Sequence, residues 1–186
     1  MEFCCTFEMR SFHMERTKWT DRKFAFNIPA GWMQNIFERL RSTELRLRAL
    51  VDGLPDDRAS FKPNGKWSIK EHIGHLSDLE ELHEGRIDDF IARKQTLRAA
   101  DMSNAKTNKA HDNDRPIHEL LDEFAFKRII FISRLESLDD ETQQFQSMHP
   151  RLQVHMKPVD MAFFTAEHDD HHLASIREII DIDEAG

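Results

Sequence analysis

The sequence predicts an all-α fold, a four-helix bundle with one long crossover, and three observations carry that prediction. Apolar residues recur at helical spacing in four separate segments. Chain-breaking residues are few, with 6 Gly and 6 Pro among 186 residues. One polar connection, residues 94–115, is long for a compact domain, and a long connection lets two helices of a bundle run parallel. A chain of this length buries one substantial core. The expected division is an N-terminal extension, residues 1–30, followed by the bundle, residues 31–186.

The first helix is expected from Gly31 to Val51, with Met33, Ile36, Phe37, Leu40, Leu45 and Leu50 on its apolar face and Gly53 and Pro55 ending it. The second opens after Gly65-Lys66-Trp67 with Ser68 as N-cap and Glu71 three residues on, a capping box. Ile69, Ile73, Leu76, Ile87 and Phe90 mark its buried stripe, and it ends near Arg93. Pro116, which suits the first turn of a helix, starts a third that carries Leu120, Leu121, Phe124, Ile129, Phe131, Ile132, Leu135 and Leu138. The fourth runs from near Pro158 to Ile182 through Met161, Phe163, Phe164, Leu173, Ile176, Ile179 and Ile180. Residues 144–157 are irregular, contain His149-Pro150, and belong at one end of the bundle.

Composition narrows the function classes. Lys plus Arg number 26 against 34 Asp plus Glu, a net charge of -8, which argues against nonspecific binding to nucleic acid or an anionic membrane. A small-molecule or protein partner is expected instead. No run reaches about 18 apolar residues, and residues 1–13 lack the apolar core and cleavage site of a secretion signal. The adjacent Cys4 and Cys5 make a poor crosslink, so a reducing, cytoplasmic setting is expected.

The stretch His168-Asp169-Asp170-His171-His172 concentrates metal-binding side chains. Residues four apart on a helix are neighbours, about 5 to 6 Å apart at Cβ, so His168 and His172 can aim two ring nitrogens at one ion. The stripe Met161, Phe164, His168, His172, Ser175 and Ile179 is apolar at both ends, so it faces the bundle interior, with Asp170 and His171 on its flanks. Two buried imidazoles without partners are costly to desolvate, which favours a ligand role, although packing or exposure stays open for an HxxxH pair alone. Two points weaken a zinc-peptidase reading: Asp stands where the general-base Glu belongs, and no His follows His172, so a third ligand would have to come from elsewhere and the motif is not diagnostic. For a third ligand the second helix offers His72, His75 and His83. His75 is the best placed, sharing a face with Leu79, Leu82 and Arg86. Glu80-x-x-His83 has the spacing of a di-iron bundle, but that chemistry needs two such pairs and two further glutamates. Glu80 and His83 are therefore expected to be solvated or to support a neighbouring ligand.

The block from Gly65 through Trp67-Ser68, His72, His75-Leu76, Asp78 and Glu80 resembles the second-helix signature of the DinB/YfiT-like metalloenzyme superfamily, a Trp-Ser helix start followed by His-Leu-x-Asp-x-Glu. Glu167 to Ile176 is similar to that family's last-helix signature, His-x-x-His-His-x-x-x-Ile, and His149-Pro150 resembles a His-Pro element of its YfiT-like branch. The resemblance spans Gly31 to Ile182 in order. It implies up-down-down-up connectivity, a divalent metal held by His75, His168 and His172 with His171 outside the set, a homodimer, and thiol-dependent transferase, isomerase or hydrolase activity.

Three neutral imidazoles leave a divalent ion, Zn, Ni or Fe, with an open position, the arrangement of a catalytic site. Two enzymatic readings use it. In one a low-molecular-weight thiol is activated as a thiolate that attacks a small electrophile; in the other activated water attacks an ester or amide. Glu80 and Asp78 are the candidate catalytic groups beside it, and Arg86 and His149 the candidates for binding a cofactor or anion. A third reading is a non-catalytic metal-containing binding or stress-associated module. His13, His72, His83, His111, His118, His155 and His171 are expected to face solvent, and Trp67 to anchor the core.

Overall fold

The computed structural model describes residues 15–184, so Cys4, Cys5 and His13 lie outside the described residues. In chain order it contains α1 (Met33–Val51), α2 (Asp56–Ala59), α3 (Ile69–Ile91), α4 (Ala105–Lys109), α5 (Ile117–Glu136), α6 (Asp140–Gln144), β1 (Ser147–His149), β2 (Val154–Met156) and α7 (Pro158–Glu184). The four long helices sit where the apolar periodicity predicts them. Two terminations have clear chemistry. Gly53, at a φ of 70°, takes the left-handed turn that ends α1, and the Ser68–Glu71 capping box opens α3, with Glu71 N–H donating to Ser68 Oγ (3.1 Å) and Ser68 N–H to Glu71 Oε2 (2.8 Å).

Around the bundle α1 packs on α5 and α7, and α3 packs on the same two helices, so α1 and α3 sit diagonally. The core is divided. Phe37 and Leu40 of α1, Ile87 and Phe90 of α3, Phe131 and Leu135 of α5, and Val159 and Met161 of α7 build one apolar cluster. Leu47, Ile73, Leu76, Leu120, Phe124, Leu173 and Ile176 build the other. Helices α1 and α7 therefore run from the first cluster to the second, and α3 and α5 run the opposite way.

Between the clusters each long helix contributes one buried polar residue. Arg128 of α5 donates from Nη2 to Glu80 Oε1 of α3 (2.6 Å) and to Asp169 Oδ1 of α7 (3.0 Å), while Thr43 of α1 donates from Oγ1 to Asp169 Oδ2 (2.8 Å). Arg128 also stacks over Phe124, 4.7 Å from its ring centroid. Losing one member of such a buried set leaves an uncompensated charge at a cost of about 3–5 kcal/mol, so the layer fixes the axial register of the four helices. This corrects the expectation that Glu80 is solvated: it is fully buried, because its face of α3 meets Arg128 rather than water.

Other expectations need local correction. Leu45 and Ile129 are exposed; each lies off the stripe its helix buries. The connection after α6 is not irregular but an antiparallel hairpin, β1 with β2 in the register Ser147 opposite Met156, so a small sheet accompanies the helices. The long polar connection carries α4 and lies along α3. Two glycines allow this approach: a Cβ at Gly74 would collide with the Asp112 carboxylate, and one at Gly85 with the Arg98 guanidinium.

Candidate metal centre and its cavity

Helix geometry distributes the five residues of the HDDHH stretch in different directions. His168 and His172 face the interior one turn apart, with their Nε2 atoms 3.1 Å from each other. Asp169 turns into the polar layer. Asp170 turns outward, accepting from Arg46 Nη1 (2.6 Å) and pairing with Arg39. His171 turns toward the N-terminal segment, where Arg16 donates from Nη1 to its Nδ1 (3.1 Å) and to its carbonyl oxygen (2.7 Å).

His75 approaches from α3, and one ring nitrogen from each of His75, His168 and His172 lies within 4.8 Å of the others. Bonds of about 2.0 to 2.1 Å at a tetrahedral angle put two ligand nitrogens about 3.3 Å apart, so the donor set fits one divalent ion. The hydrogen bonds assign the tautomers. Thr107 donates its hydroxyl to Asp78 Oδ2 (2.9 Å) and so accepts from His75 Nδ1 (3.1 Å), which leaves the lone pair of His75 on Nε2. His172 Nδ1 lies 2.8 Å from His72 Nδ1; with Nδ1–H donating to His72, its Nε2 is free to coordinate. Such partners orient a ligating imidazole and raise its basicity. Among the described residues His168 Nδ1 has no hydrogen-bond partner, and its ring is held by edge-on packing against Trp19, with centroids 4.9 Å apart.

Burial keeps these rings neutral, which is the form that binds metal. Desolvation is the main cause in each case, reinforced by the neighbouring imidazoles: His75 falls to about 4 and His72 to about 3, and His168 and His172 fall well below the ordinary value.

The three nitrogens open onto a cavity of about 550 Å³, large enough for a small-molecule ligand. Trp19 and Trp67 wall it on either side of the imidazoles, and Leu79, Leu82, Met102 and Phe164 add apolar surface. Trp67 was expected to anchor the core; it is instead half-buried in this wall, 4.7 Å from the His75 ring, with Nε1 donating to Asn108 Oδ1 (3.2 Å). His72, His83 and His171, expected in solvent, also line the cavity, because they flank His75 and His172 on inward-facing turns. His111, His118 and His155 are exposed.

Of the residues singled out beside the imidazoles, Arg86 and His149 line the cavity, whereas Glu80 and Asp78 do not. Glu80 is committed to Arg128 and the polar layer. Asp78 reaches Thr107 and, at 3.5 Å, Lys106, so it acts on His75 through the threonine rather than on a ligand. Sequence reasoning missed Trp19 and Thr107. A signal for the first existed in the alternation of Phe24, Phe26 and Ile28, the period of an extended strap. This strap lies on α7: Phe24 packs on Phe164 (5.3 Å), Ile28 N–H donates to Asp160 Oδ1 (2.8 Å), and Lys157 Nζ donates to the Ile28 carbonyl (2.9 Å).

Comparison with known proteins agrees with this geometry. Among solved structures, one described as "YfiT from Bacillus subtilis is a probable metal-dependent hydrolase with an unusual four-helix bundle topology" superposes with a TM-score of 0.72 at 17% sequence identity, covering 85% of this chain and 91% of that one. At that identity the likeness speaks for the fold. No curated protein matched the sequence. The family model of the DinB superfamily matches residues 39–176, which include all three histidines of the triad and the four residues of the polar layer, and the chain belongs to that superfamily.

Proposed function

We propose that the protein is a metal-dependent enzyme that joins a low-molecular-weight thiol to a small electrophile, with His75, His168 and His172 holding the ion. The observation that carries the choice of reaction is the lining of the cavity: among the described residues its one carboxylate is Asp101. That group is exposed and already accepts from Ser103 Oγ (2.6 Å) and the Ala105 N–H (2.9 Å). Hydrolysis asks for a general base beside the nucleophilic water, and Asp78, which lines an adjoining pocket with His75, is already engaged by Thr107 and Lys106. A thiol needs less help.

A divalent ion held by three neutral imidazoles supplies a Lewis acid that lowers the pKa of a bound thiol or water. The chain's own residues do the rest. The relay from His75 through Thr107 to Asp78 fixes one imidazole, His72 fixes a second, and Trp19 packs on the third. The two tryptophans and Phe164 exclude water and give an electrophile an apolar surface. A hydrolase is the second reading, favoured by the description of the B. subtilis structure as a probable metal-dependent hydrolase.

The deciding experiment incubates metal-loaded protein with an aryl halide electrophile and a panel of cellular thiols, and in parallel with activated esters without thiol. Turnover that requires both thiol and metal is the expected result. Ester cleavage without thiol selects the hydrolase, and silence in both assays rejects an enzymatic role on these substrates.

A further inference from the structure

We propose that the cavity contains, apart from the histidine triad, a binding site for an anionic group, and that its ligand is a small molecule bearing a carboxylate. The site is formed by Arg86, His149 and Arg151, all of which line the same cavity as the triad. This deepens the enzymatic reading by naming the charge class of the ligand, but the anion site does not itself depend on a bound metal.

Arg86 lies on α3 and is only 4% exposed. A guanidinium buried to that degree ordinarily has a carboxylate against it. Among the described residues none lies within 4.0 Å. Among the described residues its one hydrogen bond is from Nε to the carbonyl of Arg98 (3.2 Å), and these leave the two terminal nitrogens unspent. Asp89, one turn further along α3, is the nearest acidic candidate, and it is engaged elsewhere. It accepts from Lys94 Nζ (2.8 Å), from Arg98 Nε (3.0 Å) and from the Arg98 backbone N–H (2.8 Å).

His149, at the end of β1, is 3% exposed and makes an independent case. Its Nδ1 accepts from the Leu152 N–H at 3.2 Å, which places the ring proton on Nε2. That Nε2 is buried and has no partner among the described residues. A buried donor left unsatisfied is costly, and a native fold keeps one where something else supplies the acceptor. Arg151 follows two residues later, exposed, with its guanidinium 5.8 Å from the Phe164 ring centroid and no ion pair among the described residues.

The electrostatics point the same way. Arg86 is held at about 10, below the usual guanidinium range, by desolvation first; the attraction of Asp89 opposes this, and weaker repulsions from Arg151 and Arg98 add to it. His149 is pushed down to about 3, by desolvation and then by Arg86 and Arg151. A protein of net charge -8 thus keeps a patch of uncompensated positive potential on one cavity wall. The unspent atoms of Arg86, His149 and Arg151 are donors, so the group complementary to these three residues is an acceptor with negative charge. Two unspent guanidinium nitrogens match the fork geometry of a carboxylate. With that group on Arg86, the rest of the ligand extends along the apolar wall toward the triad, in the same 550 Å³ space.

The test measures binding of 3-phenylpropionate and of its neutral amide to the full chain by calorimetry, as isolated and again after chelation of metal. The expected result is a preference for the carboxylate on the order of tenfold or more, as for hydrogen bonds to a charged group, that survives chelation. Arg86→Met abolishes the preference without lowering the melting temperature, since it removes a buried charge that lacks a counterion. Should that variant fail to fold, Arg151→Ala at the surface and His149→Phe in the wall each weaken carboxylate binding by threefold or more and leave amide binding unchanged. Equal affinity for acid and amide overturns the proposal. A preference that vanishes on chelation also overturns it, since the carboxylate would then be bound by the ion. So does a preference that persists in Arg86→Met, or that neither Arg151→Ala nor His149→Phe diminishes. Loss of metal binding alone would leave the carboxylate preference intact, so failure of the metal reading is distinguishable.

Discussion

Each of the three inward histidines has a different support, and this gives different expectations for their removal. His75→Ala, His168→Ala and His172→Ala each take away one of three donors to the proposed ion, so metal content measured by elemental analysis should fall from about one per chain to a small fraction. His171→Ala should keep its metal, because that ring is turned toward Arg16; equal loss from this variant would show that the ligand set is wrong. His168 and His172 were legible in the sequence because a four-residue spacing on an apolar stripe dictates a shared face. His72 and His171 were not read as part of the cavity, because each sits beside that stripe, and a helical wheel does not say which flank a neighbouring element covers. The flank of α7 is covered by Trp19 and Arg16, from the segment, residues 1–30, expected to be an N-terminal extension to the bundle.

At the scale of elements, the long helices were legible because amphipathic periodicity is a local property. The crossover was not, since its placement depends on two close approaches that only the folded chain reveals. Gly74 and Gly85 let residues 98 and 112 lie against α3, and this sets α4 beside that helix with Thr107 against His75. A loop element thereby orients a ligand carried by a core helix. Thr107→Val, nearly the same shape without the hydroxyl, should lower metal affinity by about 10- to 100-fold, the usual cost of losing a group that orients a ligating imidazole. Thr107→Ser should restore most of it. Competition with a graded series of chelators measures both; identical affinities for wild type and Thr107→Val would mean that the relay does not orient His75.

For the molecule as a whole, the concentration of buried neutral imidazoles has a thermodynamic consequence. His72, His75, His149, His168, His171 and His172 all titrate below their ordinary value, with desolvation the largest cause in each. In the unfolded chain they take up protons near pH 6.5, while the native state refuses them down to about 4 at His75 and His171. Within that window the unfolded state binds more protons, so stability rises with pH and is lost as pH falls from about 6.5. Asp112 opposes the trend. Burial and the nearby Asp78 raise it to about 6, so its native state holds a proton that the unfolded chain releases near pH 3.9, and its contribution falls as pH rises across that interval. One carboxyl against six imidazoles leaves the acid side unstable. Below about pH 4 the loss deepens, because the unfolded chain protonates Asp89 and Glu80 there while the native state, whose cationic partners outweigh desolvation, keeps them ionised. The melting temperature of metal-free protein should therefore drop steadily from about pH 7 to pH 4, with several protons taken up per molecule unfolded, as calorimetry in buffers of different ionisation enthalpy measures. An ion on the triad would bind the native state and not the unfolded chain, so the metal-loaded protein should melt at a higher temperature than the metal-free form, with the same fall toward acid pH. A melting temperature that stays level between about pH 5 and 7 in the metal-free chain would contradict the buried, neutral state assigned to these rings.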